Sequence, residues 1–244
     1  MKPAIGINLN QEGNRFTLRK EYWEAVSGAG GIPVVIPPLM ALDDVDRVLE
    51  SLDGLLLTGG GDIEPARYGE RPAGKARPVP QPKHDSDFQL AARAIEFGIP
   101  TLGVCYGMQL LAVLHGGKLV QDIPASIKTS LDHWGSPDKD AEHPVRLSSS
   151  TAIHGILGCE TLLINSHHHQ SVGDPGTLVV TARAEDGVAE AVELKDFSEK
   201  WVLGVQWHPE RMSARAQGLA VYRALIDAAS RYSEGSGFDV TIVR

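Results

Sequence analysis

Short apolar runs alternate along the first half of the chain with stretches of helical period. "AIGINL" at 4–9 predicts a first strand, and "LRKEYWEAVSGAGG" at 18–31 predicts a helix closed by glycines. "IPVVIPP" at 32–38 reads as a strand bounded by prolines, and "DDVDRVLESL" at 43–52 as a short helix with an aspartate start. "GLLLTGGG" at 54–61 is a strand running into a glycine loop, followed by a helix over 87–98 and a buried strand over 99–104. Strands that are apolar throughout and separated by helices belong to parallel sheets covered on both faces. The expected class is α/β, with a mostly parallel central sheet and helices on both faces.

Beyond residue 118 the rhythm loosens. "HPVRLSSSTAIHGILG" predicts a strand and a short turn or helix, and "ETLLINS" at 160–166 predicts another strand. Residues 177–196 read as two strands joined by a turn at Gly187, 201–207 as a strand ending at His208, and 213–232 as a long helix. The proline-rich stretch 72–83 predicts a surface loop rather than a domain boundary, because the β-α rhythm resumes after it. The expectation is one domain over 1–232 and a tail, 233–244, that the pattern does not place. Internal repeats are not evident.

Composition narrows the function classes. The 244 residues carry 23 basic and 31 acidic side chains, a net charge of -8. That balance gives no electrostatic reason to bind nucleic acid or anionic membrane. No run approaches the ~18 apolar residues of a membrane span, and the N-terminus lacks the apolar core of a signal peptide. A cytoplasmic location is expected. The two cysteines, Cys105 and Cys159, are too few for a disulfide scaffold, and no Cys-x-x-Cys or Cys/His spacing suggests zinc.

The chemistry concentrates at "GVCYGMQLLAVLHGG", residues 103–117. Cys105 ends a buried strand, and ligands of open α/β sheets bind beyond such ends. Glycines at 103 and 107 remove Cβ atoms that a tight strand-to-helix turn would crush, as in the serine elbow of α/β-hydrolases. The helix that follows aims its N-terminus at the sulfur and favours thiolate, and the Tyr106 N–H is placed to donate to an oxyanion. Taken alone, the stretch fits a buried core thiol equally well.

A nucleophile needs a base, and the base an orienting group. "VLGVQWHPE" at 202–210 offers His208 and, two residues on, Glu210. "LLLTGGGDIEPARYGE" at 55–70 presents backbone N–H groups at Gly60 and Gly61 that suit the second half of an oxyanion hole. It lacks the Gly-Lys-Ser/Thr ending of a phosphate loop. In "INSHHHQSV", 164–172, extended backbone turns His167 and His169 to one side and His168 to the other. No carboxylate or cysteine stands at ligand spacing there, so a pocket-lining loop is expected and a metal site is not. Cys159 is read as structural, and His84, His115, His133, His143 and His154 as surface or packing residues.

Four motifs in this order resemble the class I glutamine amidotransferase superfamily, and within it the γ-glutamyl-γ-aminobutyrate hydrolase type, peptidase C26-like. "LTGGGDIEPARYGE", "GVCYGMQLL", "NSHHHQSV" and "GVQWHPE" carry the resemblance, which covers about residues 4 to 230. It implies a flavodoxin-like α/β sandwich and cleavage of γ-glutamyl amides through a thioester. It implies Cys105 as nucleophile, His208 as base and then acid, Glu210 as its orienting group, and Gly60 or Gly61 with Tyr106 as backbone oxyanion donors. Gln109, His168, His169 and Gln170 would line the γ-glutamyl pocket, with no metal or organic cofactor. The partner implied is a small γ-glutamyl molecule. A homodimer is compatible with the sequence, and a synthetase partner belongs to the rival reading of a glutaminase subunit supplying ammonia. A catalytically silent binding protein is a second rival. Two departures stand out: Tyr106 where the family often has Arg, which leaves entrance contacts open, and "PKHDSDFQL", where Asp87 stands in for a frequent Glu.

Overall fold

Alternation inside one strand sets up the two cores of the molecule. In the strand Gly54–Leu57, Leu55 and Leu57 pack into one apolar cluster and Leu56 into the other, and all three are fully buried. A strand buried on both faces must sit mid-sheet between two helical layers. The computed structural model describes residues 1–73, 76–128, 131–136, 138–197, 200–212 and 216–235.

The strands are β1 (Ala4–Asn8), β2 (Asn10–Glu12), β3 (Arg15–Thr17), β4 (Ile32–Ile36), β5 (Gly54–Leu57), β6 (Thr101–Val104) and β7 (Lys118–Val120). They continue with β8 (Ala141–Leu147), β9 (Thr161–Ser166), β10 (Ser171–Asp174), β11 (Val179–Ala184), β12 (Ala189–Glu193) and β13 (Val202–Val205). The α-helices are α1 (Lys20–Ala29), α2 (Leu42–Leu49), α3 (Gln81–Glu96), α4 (Tyr106–Leu114), α5 (Ile123–Ser126), α6 (Ala152–Leu157) and α7 (Ala216–Ser233). Single 3-10 turns occupy Pro65–Tyr68 and Pro209–Met212.

Nine strands form one sheet in the order β4-β1-β5-β6-β13-β12-β11-β8-β9. The first five are mutually parallel, and the last four extend the sheet as an antiparallel wing. Helices α1, α6 and α7 cover one face, and α2, α3 and α4 cover the other. This is an α/β sandwich of the expected class. No helix among the described residues is long and apolar enough to cross a membrane.

Several elements depart from the pattern-based reading. The proline-rich stretch does not stay a loop to residue 83, because α3 already begins at Gln81. Pro82 falls in its first turn, where the missing N–H would have no helical partner and the fixed φ suits the helix. The hairpin β2–β3 and the pairing of β10 with β7 were not anticipated. The long C-terminal helix is observed over Ala216–Ser233, and the tail from 236 onward lies outside the described residues.

Candidate active site

The parallel strands β5, β6 and β13 all end at one edge, and each delivers a part of the site. β6 delivers Cys105, whose backbone φ of 52° is positive, a conformation that L side chains rarely adopt. Surrounding packing enforces it. A Cβ at Gly103 would lie 2.6 Å from the Gly107 backbone, and one at Gly107 would lie 2.4 Å from the Leu57 carbonyl oxygen. Strand, elbow and first helical turn touch backbone to backbone, which is why the flanking positions are glycine. Helix α4 starts at Tyr106, so its unbonded N–H groups open next to Cys105.

β13 delivers His208 and Glu210. Pro209 opens a 3-10 turn that brings the Glu210 carboxylate back beside the ring. His208 Nδ1–H donates to Glu210 Oε1 at 2.7 Å, and both residues are buried. With Nδ1 so engaged, Nε2 is the nitrogen left for the sulfur. Burial opposes charge on the ring, but the Glu210 carboxylate and the Cys105 sulfur outweigh it and push His208 up to about 9. The ring therefore carries its proton at neutral pH. Asn165 clamps the same residue through its backbone, accepting from His208 N and donating to His208 O, each at 3.1 Å. Tyr222 Oη donates to Glu210 Oε2 at 3.5 Å.

β5 delivers the glycine loop. The Gly59 N–H is already spent on Tyr22 Oη at 2.9 Å, and that hydroxyl lies 3.4 Å from His208 Nδ1. Burial, and then the charge of Glu210, push the Tyr22 hydroxyl well above its ordinary range, so it stays protonated. The amides of Gly60 and Tyr106 have no hydrogen-bond acceptor among the described residues.

Two chambers meet at Cys105. One, of about 210 Å³, is lined by Glu12, Arg19, Tyr22, His208 and Arg211 among others. The other, of about 260 Å³, is lined by Asp62, Arg77, Gln109, Trp134, His169 and Gln170 among others. Gly60 and Cys105 border both, whereas Gly61 borders only the second.

The candidate substrate residues divide. Gln109 Nε2 donates to Gln170 O and to Gln206 Oε1, each at 3.2 Å. His169 Nε2 pairs with Asp62 Oδ1 at 2.9 Å, and Trp134 stacks on His167 with ring centroids 4.4 Å apart. The buried Gln170 keeps Oε1 without a hydrogen-bond partner among the described residues. His168 also borders the second chamber, but its Nδ1 donates to Gln170 O at 2.9 Å and its Nε2 faces Glu190. The ring supports the chamber wall instead of offering a donor to its contents. Of the surface or packing roles expected for His133 and His143, the structure gives packing, since both are buried beside His168.

Tyr106 does not reach the entrance. Its ring is buried, and its hydroxyl donates to Asp87 Oδ2 at 3.1 Å. Asp87 also pairs with the buried Lys83 and accepts from Asn8 Nδ2 at 3.0 Å, while Asn8 Oδ1 accepts from Thr58 N at 2.8 Å. Tyr106 and Asp87 thus bond to one another, and through Asn8 they tie the elbow to the foot of the glycine loop. The motifs gave no warning of Tyr22, Asn8 or Tyr222. Asn165 lay inside a quoted motif without an assigned role.

The Peptidase C26 family model matches residues 4–210, a span that holds the elbow, the glycine loop and the His208–Glu210 pair. The chain belongs to the Peptidase C26 family. Rv2859c of Mycobacterium tuberculosis, provisionally named a glutamine amidotransferase, is 38% identical over 219 residues, covering 88% of this chain and 68% of that protein. The γ-glutamyl-γ-aminobutyrate hydrolase PuuD of Escherichia coli K12 is 32% identical over 226 residues, covering 85% of each. Among solved structures, a Thermoplasma acidophilum protein provisionally described as one component of a GMP synthase matches with a TM-score of 0.66 at 18% identity, covering 96% of this chain and 97% of that one. At that identity the likeness speaks for the glutamine amidotransferase-like α/β fold alone. The C26 assignment places the chain among peptidase-type hydrolases.

Proposed function

We propose that this C26 protein hydrolyses γ-glutamyl amides through a γ-glutamyl thioester on Cys105. The observation that carries the reading is a sulfur at the junction of two chambers, beside a histidine whose far nitrogen is held by a buried carboxylate. The Cys105 thiolate attacks the side-chain carbonyl carbon, with its proton resting on His208. The carbonyl oxygen, now negative, accepts from the free amides of Gly60 and Tyr106. Collapse breaks the C–N bond, and His208 gives its proton to the departing amine. His208 then takes a proton from water as the water attacks the thioester, releasing glutamate and restoring the sulfur. Covalent catalysis and the oxyanion donors each supply several kcal/mol.

The second chamber suits the γ-glutamyl head. Arg77 there matches an α-carboxylate and Asp62 an α-ammonium, with Gln109, His169 and Gln170 around them. The first chamber takes the amine, against Glu12, Arg19 and Arg211. The name of the E. coli relative, at 32% identity, supports this reading. The provisional name of the mycobacterial relative favours a glutaminase that hands ammonia to a synthetase.

The test is a panel of γ-glutamyl amides, with glutamine as comparator, given to the isolated protein while the acyl-enzyme is trapped and the modified residue mapped by mass spectrometry. Turnover of the amides above glutamine, with γ-glutamyl mass on Cys105, is expected. Inertness toward the whole panel, with no label on that sulfur, would reject the reading. Activity on glutamine alone, raised by a synthetase, would select the rival.

A further inference from the structure

A second group of histidines lies in the antiparallel wing, outside the steps described above. His133 comes from the segment before β8, His143 from β8, His168 from the β9–β10 connection and Glu190 from β12. All four are buried, between 0% and 5% exposed. Glu190 Oε1 stands 3.4 Å from His133 Nδ1, 3.6 Å from His143 Nε2 and 3.6 Å from His168 Nε2. One donor atom from each residue falls within 4.8 Å of all the others.

The hydrogen bonding of this group is incomplete in one direction only. Outward, each ring has a partner: His133 Nε2 with Asp186 Oδ2 at 2.9 Å, His143 Nδ1 with Pro144 O at 3.5 Å, and His168 Nδ1 with Gln170 O at 2.9 Å. All three partners are acceptors, so each outward nitrogen carries a hydrogen, and a neutral ring then presents its inward nitrogen as a lone pair. Inward, His133 Nδ1, His143 Nε2, His168 Nε2 and both carboxylate oxygens of Glu190 have no hydrogen-bond partner among the described residues. Buried polar atoms are nearly always satisfied, and leaving one bare is costly. Here three imidazole nitrogens converge on Glu190 Oε1, and with neutral rings all four atoms are acceptors. A cation is what such a set lacks.

We propose that His133, His143, His168 and Glu190 form a buried structural site for a divalent transition-metal ion, with zinc the best match. Three imidazoles and one carboxylate are an ordinary zinc donor set, and four protein ligands close the coordination shell, as in structural sites. Tetrahedral bonds of about 2.0–2.1 Å put neighbouring donors about 3.3 Å apart, close to the spacing about Glu190. Outer partners that fix the ring tautomers, a carboxylate on one and backbone carbonyls on two, are the usual second shell of a metal-bound histidine. Charge also balances: a doubly charged ion offsets Glu190 and Asp186, so no net charge is interred. The expectation from sequence that no metal site is present rested on the spacing within 167–169. The fold uses only His168 of those three histidines and draws the other ligands from distant positions on both sides of it along the chain.

The ion would join four chain segments and connect to the second chamber by two routes. Gln170 O accepts both His168 Nδ1–H and Gln109 Nε2–H, and Glu190 O accepts from Gln206 N, whose side chain holds Gln109. Loading would therefore stiffen the wall of that chamber without touching a reacting atom. The inference stands independently of which amide is cleaved.

The experiment uses the full chain without a polyhistidine tag, grown in zinc-containing medium and dialysed. Elemental analysis should find about one zinc per chain. Anomalous diffraction at the zinc edge should place it among the four side chains. Chelation under mild denaturant followed by return of zinc alone should raise the midpoint of thermal unfolding by about 5 °C or more. Glu190→Gln and His143→Ala should each lower zinc content at least about tenfold, whereas Cys105→Ala should keep it. Wild-type protein that holds no metal and gains no stability from added zinc would overturn the proposal, and shared protons would then be the filling. Zinc that stays in Glu190→Gln and His143→Ala but leaves with Cys105→Ala would overturn it as well. Should both ligand variants fail to fold, the wild-type stoichiometry and the anomalous peak decide.

Discussion

Two buried histidine–glutamate groups share this molecule, and they are built to opposite specifications. At the edge of the parallel strands, the His208 ring is held through Nδ1 by the Glu210 carboxylate, Nε2 is left over, and a chamber bordered by both His208 and Cys105 opens beside it. In the antiparallel wing, the inward atoms of His133, His143, His168 and Glu190 have no hydrogen-bond partner among the described residues. The first arrangement holds a proton that can move. The second, on the proposal above, holds lone pairs that a cation fills. The lesson is that residue type does not separate catalytic from structural histidine clusters. What separates them is what each ring nitrogen faces and whether a substrate can approach.

The contrast can be broken at its strongest point first. Cys105→Ala should lower turnover of a γ-glutamyl amide by at least about 10⁴-fold, read in single-turnover assays, because covalent catalysis is lost entirely. Glu210→Gln should lower kcat/KM by roughly 10²–10⁴-fold, as loss of an orienting carboxylate does in other triads. It should also move the alkaline limb of the pH profile down, from about 9 in the wild type toward the ordinary histidine value of about 6.5. The sign for stability follows from the same group. His208 is raised in the folded state, so the stabilisation from its protonated ring is complete below about 6.5 and is lost as pH rises through about 9. Urea unfolding of wild type across that window should show the decline, and Glu210→Gln should flatten it.

In the wing, Asp186→Asn replaces the outer carboxylate on His133 and should weaken zinc affinity about 10–100-fold, measured by chelator competition. The smallest effect is expected at Tyr222→Phe. It removes a long hydrogen bond to Glu210 and should cost about 1 kcal/mol of stability or less by chemical denaturation. An effect at Tyr222 as large as that at Glu210 would mean that the carboxylate is positioned mainly from behind.

The parallel half was legible because its central strands β5, β6 and β13 are buried on both faces and read as unbroken apolar runs, with glycine and proline marking strand ends. The Gly103-x-Cys105-x-Gly107 spacing announced the elbow for the same reason it is needed, since backbone contact admits no Cβ there. The antiparallel wing was harder. Its strand β8 exposes residues on one side, as in the alternating burial of Ala141–Leu147, and the pairing partners of the wing strands are set by long-range register. The role of His168 was illegible from its neighbours, because Glu190 and His133 are supplied by other segments. Asp87 and Tyr106 each looked like a departure when read singly, and only the 3.1 Å bond between them makes the pair intelligible.

The positive φ at Cys105 has one more consequence. Backbone held this way stores about 1–3 kcal/mol, and a residue with no side chain would feel almost none of it. Cys105→Gly should therefore melt at a higher temperature than the wild type while being chemically dead. Such a result would show the polypeptide to be a little less durable than it could be at one residue, and that residue is the proposed nucleophile.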